Sequence, residues 1–338
     1  MRTIEWKDGT VTTIDQTKLP NQTVLLKMTS CDEIAEAIKT MQIRGAPLLG
    51  AAAAYGLALT AYHSKAKDKR QLIEELTASA QILKKTRPTA VNLFGAIDRM
   101  MKKAGKMDGD AMAVVKAVVE EAKRIANEDV DVNRKIGEYG STLIDSGDTV
   151  LTHCNAGSLA TVDYGTALGV IRTAWKKGKG IKIIATETRP LLQGARLTAY
   201  ELFRDGIPVT LITDSMVGYV MSKGFVNKVV VGADRIVKDA VVNKIGTYMI
   251  AVLAHEHKVP FYVAAPNTTF DMEQSAKDVV VEERSIEEVV KFGGVQVAPK
   301  GVSAFNPAFD ITPLKYVTAI IYEKGIISPA NFQKISTV

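Results

Sequence analysis

In the second half of this chain five short apolar runs rich in Val and Ile alternate with helical segments. The runs are "DTVLTHC", "IKIIATE", "PVTLITD", "KVVVGAD" and "PFYVAAP", and the segments between them include "PLLQGARLTAYELFRD" and "KIGTYMIAVLAHEHK". Continuous rather than alternating apolar runs mark strands buried on both faces. Strands of this kind separated by helices fold into a parallel, doubly wound sheet. Residues 131–338 are therefore expected to form a Rossmann-like α/β domain. A final helix is expected over "TPLKYVTAIIYEKG", with Thr312 as its N-cap and Pro313 in its first turn.

A chain of 338 residues is long for a single core, so a second domain is expected, over residues 1–130. Its start reads as strands: "TIEWKDGTVTTID" has Asp8-Gly9 between β-rich runs, a hairpin signal, and "QTVLLKMT" is a third strand. Helical patterns follow in "SCDEIAEAIKTM", "LLGAAAAYGLALTAYHS", "KRQLIEELTASAQILKK" and "VNLFGAIDRMMKKA", then a long one from about Gly109 to Asp145 that joins the domains. Ser30 and Glu33 have capping-box spacing at the first of these helices. The fold class is α/β: a small N-terminal β-sheet with helices, then the Rossmann-like domain.

Four of the five apolar runs end in groups able to do chemistry: Cys154-Asn155, Glu187, Asp214 and Asp234; the fifth ends at Pro266-Asn267. In a doubly wound sheet the carboxyl ends of the strands form the ligand crevice. One acid after a strand is commonly a helix cap; the series favours a site. Cys154 sits between His153 and Asn155, ahead of the helical spacing in "VDYGTALGVIRTAW". A helix N-terminus there would lower its thiol pKa. Free cysteine also behaves as a small hydrophobe, and the residues by themselves leave both roles open.

Other chemistries find no motif. There is no GxxxxGK[ST] and no GxGxxG, so no nucleotide cofactor is expected. Cys31 and Cys154 are too far apart for a disulfide framework or a zinc motif, and the four histidines form no metal signature, so no metal is expected. The net charge of +6 is dispersed among acids without a basic block, which does not suggest nucleic acid and suits a small anionic substrate. No apolar run reaches the ~18 residues of a membrane span, and "MRTIEWKDGT" lacks a signal-peptide core, so a cytoplasmic protein without membrane partners is expected. Two loops carry arginine, "IRGAPLLGA" and "TRPTAVN". Arg44-Gly45-Ala46 precedes a helix whose first amides would carry partial positive charge, and Arg adds a bidentate donor, so both loops are candidate anion sites.

The stretches "RGAPLLGAAAAYG", "RPTAVNL", "THCNAGSLATVDYGTALG", "ETRPLLQGARLTAYEL", "GADRIV", "NKIGTY", "PFYVAAPNTTFD" and "NPAFDITP" resemble 5-methylthioribose-1-phosphate isomerase of methionine salvage, nearly end to end. That superfamily also contains ribose-1,5-bisphosphate isomerases and non-catalytic regulatory subunits of the translation-initiation exchange factor. The regulatory subunits lack the cysteine–aspartate pair that stands here as Cys154 and Asp234. The resemblance implies an aldose–ketose isomerase acting on a sugar phosphate, without cofactor, as a homodimer. It implies that Arg44, Gly45, Ala46, Arg87 and Gln193 hold the substrate, mostly its phosphate, and that Asn243 and Lys244 contact the sugar. It makes Asp234 the acid–base residue, with Cys154 assisting as a second acid–base group or a transition-state stabiliser. Apolar "VVVGAD" would keep Asp234 protonated near neutral pH. One departure is the glycine-free "IVKDAVV", where the family has an Asn-Gly-type turn; it leaves that loop's shape open but not Asn243 or Lys244.

Overall fold

The structure, a computed structural model, describes residues 2–88 and 90–332. The chain divides into two compact units. The first is Met1–Lys135 with Gly157–Gly165; the second is Ile136–Ala156 with Thr166–Val338.

In the first unit β1 (Ile4–Lys7) and β2 (Thr10–Ile14) form an antiparallel hairpin in which Lys7 pairs with Thr10. Its two-residue loop is Asp8-Gly9, both at positive φ (46° and 77°), the conformation that matches the twist of the strands. The third strand, β3 (Leu25–Met28), joins β2 antiparallel. Ile4, Val11 and Met28 are buried in the core of this unit. The first helix, α1 (Cys31–Lys39), begins with the expected capping box: Ser30 accepts from the Glu33 amide and Glu33 accepts from the Ser30 amide. Next comes α2 (Ala46–His63), built of Ala, Gly and Leu on every face and buried along most of its length, the fate of a helix apolar all round. Against it pack α3 (Lys69–Lys84) and α4 (Val91–Lys106), and the long α5 (Ala111–Ser141) follows, within which the division between the units falls.

The second unit continues with β4 (Thr149–Thr152), α6 (Ala167–Lys176), β5 (Lys182–Thr186), α7 (Ala199–Arg204), β6 (Val209–Ile212), α8 (Val217–Ser222) and β7 (Lys228–Val231). A hairpin, β8 (Arg235–Val237) and β9 (Ala240–Lys244), precedes α9 (Thr247–Glu256) and β10 (Phe261–Ala264). After β11 (Phe270–Asp271) come α10 (Glu287–Val290), the ribbon β12 (Lys291–Phe292) and β13 (Val295–Gln296), and finally β14 (Phe309–Pro313), β15 (Ala319–Tyr322), β16 (Gly325–Ile327) and α11 (Pro329–Phe332). The main sheet has the order β16-β15-β10-β7-β4-β5-β6, parallel except for the edge strand β16. All five runs read from the sequence are its strands. Their order reverses between β4 and β7, so the switch point, where doubly wound sheets hold ligands, lies at the ends carrying Cys154 and Asp234. A smaller sheet, β11-β8-β9-β14, covers the stretch after Asp234. The glycine-free turn at Lys238-Asp239 is closed by side contacts instead: Asp239 Oδ1 accepts from the Ala276 amide at 2.7 Å and the Lys238 amide donates to Gln274.

Two helix expectations need correction. Residues 312–325 form the end of β14, a single 3-10 turn (Leu314–Tyr316) and β15, not a helix. The run Ala319–Tyr322 is Ile-rich and buried between β10 and β16, so sheet pairing overrides the Thr-Pro start signal. The segment after Cys154 also differs. Only a 3-10 turn, Ser158–Ala160, follows it, and the first α-helix begins at Ala167, so Cys154 does not stand at a helix N-terminus. Small residues and the two glycines at 157 and 165 favour a turning loop over an early helix.

Candidate active site

Cys154 stands two residues past the end of β4. It is half-buried and has φ 61°, a left-handed conformation that a non-glycine residue keeps only under constraint. Two threonines supply that constraint. The Cys154 amide donates to Thr188 Oγ1 at 2.8 Å, and its carbonyl accepts from Thr198 Oγ1 at 2.6 Å. Thr188, on the loop after β5, is itself at φ 63°. That loop is held by Asp214, whose two oxygens accept from the amides of Thr188 and Arg189 at 2.8 and 2.7 Å. Asp214, at the end of β6, thus serves as a loop clamp.

Asn155 is buried and donates to Glu201 Oε1 at 2.9 Å. Glu201 in turn pairs with the buried Arg172 at 2.8 Å, so an ionic cluster anchors the residue after the thiol. On the other side, His153 is buried between Thr186 Oγ1 (2.6 Å from Nδ1) and the Ile245 carbonyl (2.9 Å from Nε2), and burial holds its pKa below the usual value.

Asp234 follows β7 and is half-buried; its amide donates to the Val242 carbonyl of β9 at 3.0 Å. Two residues earlier, Gly232 lies so close to Ala156 that a Cβ there would fall 2.7 Å from the alanine Cβ. The turn bearing Asp234 and the loop bearing Cys154 are thus in contact. Asn243 and Lys244 end β9 and are both buried. Asn243 Nδ2 donates to Thr247 Oγ1 at 3.0 Å, and Lys244 Nζ donates to the Ala308 carbonyl at 2.6 Å, above the Phe309 ring. Opposite Asn243 stands Asp310, which accepts from the amides of Gly246 and Tyr248; burial pushes its carboxyl up to about 6 against those amides and the charge of Lys244.

Gln193 is buried at the start of a π-helical turn, Gly194–Thr198. Its Oε1 has no hydrogen-bond partner among the described residues. Buried polar groups are mostly hydrogen-bonded, so this acceptor is a candidate contact for a bound molecule. The turn presses on the end of β5: a Cβ on Gly194 would meet Thr186 O at 1.8 Å.

The remaining candidates belong to the first unit. Arg44 is half-buried in the loop before α2, and Gly45 is that helix's N-cap at φ 99°, where a Cβ would strike Ala160. Ala46 is the first helical residue and Pro47 follows in the first turn. Arg87 Nη1 contacts Met41 Sδ at 3.3 Å, which brings the "TRPTAVN" loop beside the one carrying Arg44. Thr89, within that motif, lies outside the described residues. Among the described residues no group of three or more His, Cys, Asp or Glu side chains is placed to hold a metal ion, and no helix is long and apolar enough to cross a membrane.

The roles of Thr186, Thr188, Thr198 and Asp310 escaped the sequence reading. Thr186 and Thr188 stand in "TET" at a strand end and Asp310 in "NPAFDITP", but hydroxyls and a capping carboxylate after strands carry no distinguishing pattern.

A doubly wound sheet with a thiol and a carboxyl at its switch point defines the class, and comparison with known proteins agrees with it: the chain belongs to the initiation factor 2 subunit family, whose model matches residues 42–329. Within that family it is 53% identical to the methylthioribose-1-phosphate isomerase of Thermosipho africanus, over 97% of this chain and 95% of the relative. The crystal structure of 5-methylthioribose 1-phosphate isomerase from Pyrococcus horikoshii is similar to it with TM-score 0.92 and 47% identity, over 98% of this chain and 94% of the other. A structure from A. fulgidus that bears the name of translation initiation factor eIF-2B, subunit delta, has TM-score 0.89 and 56% identity, over 98% and 97%.

Proposed function

We propose that this chain is an aldose–ketose isomerase that converts 5-methylthioribose 1-phosphate to 5-methylthioribulose 1-phosphate in methionine salvage. The observation that carries the reading is the pairing of two loops at the switch point: Cys154, held at positive φ, beside the Gly232–Asp234 turn. The relatives named for this reaction align over nearly the whole chain.

The phosphate sits on the anomeric carbon, so the ring cannot open as in a free sugar. The C1–ring-oxygen bond must break, with one proton delivered to the ring oxygen. Hydrogen then passes from C2 to C1, as a hydride or as a proton through an enol, and the C2 hydroxyl gives up one proton. The proton gained and the proton lost balance, so no external oxidant or reductant is needed. A carboxyl and a thiol differ enough in acidity to divide the two transfers, and a positioned acid or base contributes roughly 10²–10⁴-fold. In this reading Asp234 is the acid–base residue and Cys154 the second group. Gln193 offers its open Oε1 to a sugar hydroxyl, and Asn243 and Lys244 contact the sugar. Arg44, Gly45, Ala46 and Arg87 take the phosphate through guanidinium groups and the amides at the start of α2. The working form is inferred to be a cytoplasmic homodimer; both cysteines are free thiols, as a reducing compartment keeps them.

The test is turnover of 5-methylthioribose 1-phosphate deuterated at C2, followed by NMR. Ketose product is expected; label retained at C1 marks hydride transfer, and label lost to water marks the enol. Turnover of ribose 1,5-bisphosphate alone would move the substrate assignment, and turnover of neither would leave the regulatory-subunit reading. Light scattering on the same sample reads the assembly against the 36.6 kDa chain.

A further inference from the structure

The hydrogen bonds between the thiol loop and the end of β9 run in one direction. The Ile245 carbonyl can only accept, so His153 Nε2 carries a proton and donates across 2.9 Å. Burial keeps the ring neutral, which leaves Nδ1 a lone pair. Thr186 Oγ1, 2.6 Å away, therefore donates to Nδ1. Having given its proton, that hydroxyl accepts from Thr188 Oγ1 at 3.1 Å, and Thr188 Oγ1 accepts the Cys154 amide at 2.8 Å. The alternatives open to the Thr188 proton, Thr186 O at 3.4 Å and Nδ1 at 3.5 Å, are longer. The chain is Cys154 N–H to Thr188 to Thr186 to His153 to Ile245. On the same side, Gly246 at φ 103° lies against the ring, where a Cβ would come within 3.0 Å of the imidazole.

We infer that His153 is a positioning residue for the isomerase site: through this one-way chain it holds the thiol loop at Cys154 in register with the strand end that carries Asn243 and Lys244. The inference rests on the reaction proposed above. His153 is itself sealed from solvent and reaches the reacting atoms only through others. What it connects are the parts whose spacing has to be kept. Cys154 is in a left-handed conformation that is strained unless held, and a displacement of about 1 Å at a reacting group can cost ~10²-fold in rate. A histidine suits the place because it offers one acceptor and one donor on opposite sides of a rigid ring, a combination no other uncharged side chain matches.

The test uses two half-replacements. His153→Asn keeps an acceptor near Nδ1 for Thr186 and loses the reach to Ile245. His153→Gln keeps a donor near Nε2 for Ile245 and loses the acceptor for Thr186. Both variants are expected to retain KM within about threefold and to lose about 10- to 100-fold in kcat. In a Cys154→Ser background, His153→Asn should cost little further, because the effect passes through the thiol loop. Unchanged kcat in both variants, or full additivity with Cys154→Ser, would overturn the inference, as would a kcat loss explained by a lower folded fraction in thermal melts. Should both replacements fail to fold, Thr186→Val cuts the same chain while leaving the imidazole, and the same kcat signature is expected of it. Wild-type turnover is measured first. Its absence would sink the proposed reaction, whereas wild-type turnover with unaffected variants sinks only the positioning role.

Discussion

The two cysteines show how far environment separates identical side chains. Cys31 opens α1, is buried, and has its thiol pushed up to about 11 by that burial. Such a thiol stays protonated and inert near neutral pH. Cys154 is half-buried in a loop held on both sides by threonines. Cys154→Ser keeps the size but raises the proton affinity by several units, so kcat should fall at least ~10²-fold with folding and substrate binding intact. Cys31→Ser should leave kinetics unchanged. Steady-state kinetics beside thermal melts checks both, and a wild-type rate in Cys154→Ser would return the thiol to a packing role. At this scale the sequence was informative about which residues end strands and silent about how they are held. Cys154 and Asp234 could be placed because each closes an apolar run, whereas Asn243 and Lys244 were reached only through the family resemblance. The left-handed conformation at 154 depends on hydroxyls 34 and 44 positions away in the chain, and that at 188 on a carboxylate 26 positions away, which no local pattern encodes.

Elements were legible where the chain's local preference and its surroundings agree. The Asp8-Gly9 hairpin, the Ser30–Glu33 capping box and the five Val/Ile strands all formed as read. They were illegible where the surroundings overrule preference. Thr312-Pro313 looks like a helix start, yet Thr312 is buried in a strand paired with β9. The helical pattern in "PLLQGARLTAYELFRD" becomes a π turn before α7, and the reason is steric. Gly194 lies against the carbonyl of Thr186, and the widened turn lets the chain pass there while setting Gln193 at the strand end. Gly194→Ala places a methyl where backbone already stands, so the turn must shift. The expected result is a melting temperature lower by several degrees and kcat/KM reduced at least ~10-fold, since Gln193 moves with the turn. Unchanged melting and kinetics would contradict the close approach.

Across the whole molecule, two buried groups pull stability in opposite directions with pH. Asp129 accepts the Val162 amide at 2.7 Å, and burial pushes its carboxyl up to about 7, with Asp163 adding to the effect and Arg2 opposing it. A carboxyl raised above its unfolded value, roughly 3.9, contributes stability fully present below that value and lost as pH rises through about 7. His153 is depressed, so its contribution is present above the unfolded value of roughly 6.5 and lost as pH falls below it. Asp129→Asn removes the first titration and can keep an acceptor for Val162. The melting temperature of the variant relative to the wild type should therefore rise from pH 5 to about pH 7 and level off above it. A difference that stays flat over that range would show that Asp129 titrates normally. The same amide bond to Val162 bears on the chain's birth. Residues 157–165 complete the first unit: Thr3 bonds Val162 O and Ser158 O, and Gln16 bonds Leu159 O. A ribosome must therefore pass residue 165 of 338 before that unit has all its parts, and by then β4, a strand of the other unit, has been made with neither β5 nor β7 to pair it. Synthesis from the N-terminus therefore completes the first unit only after a strand of the second has been made, and that strand waits for its partners.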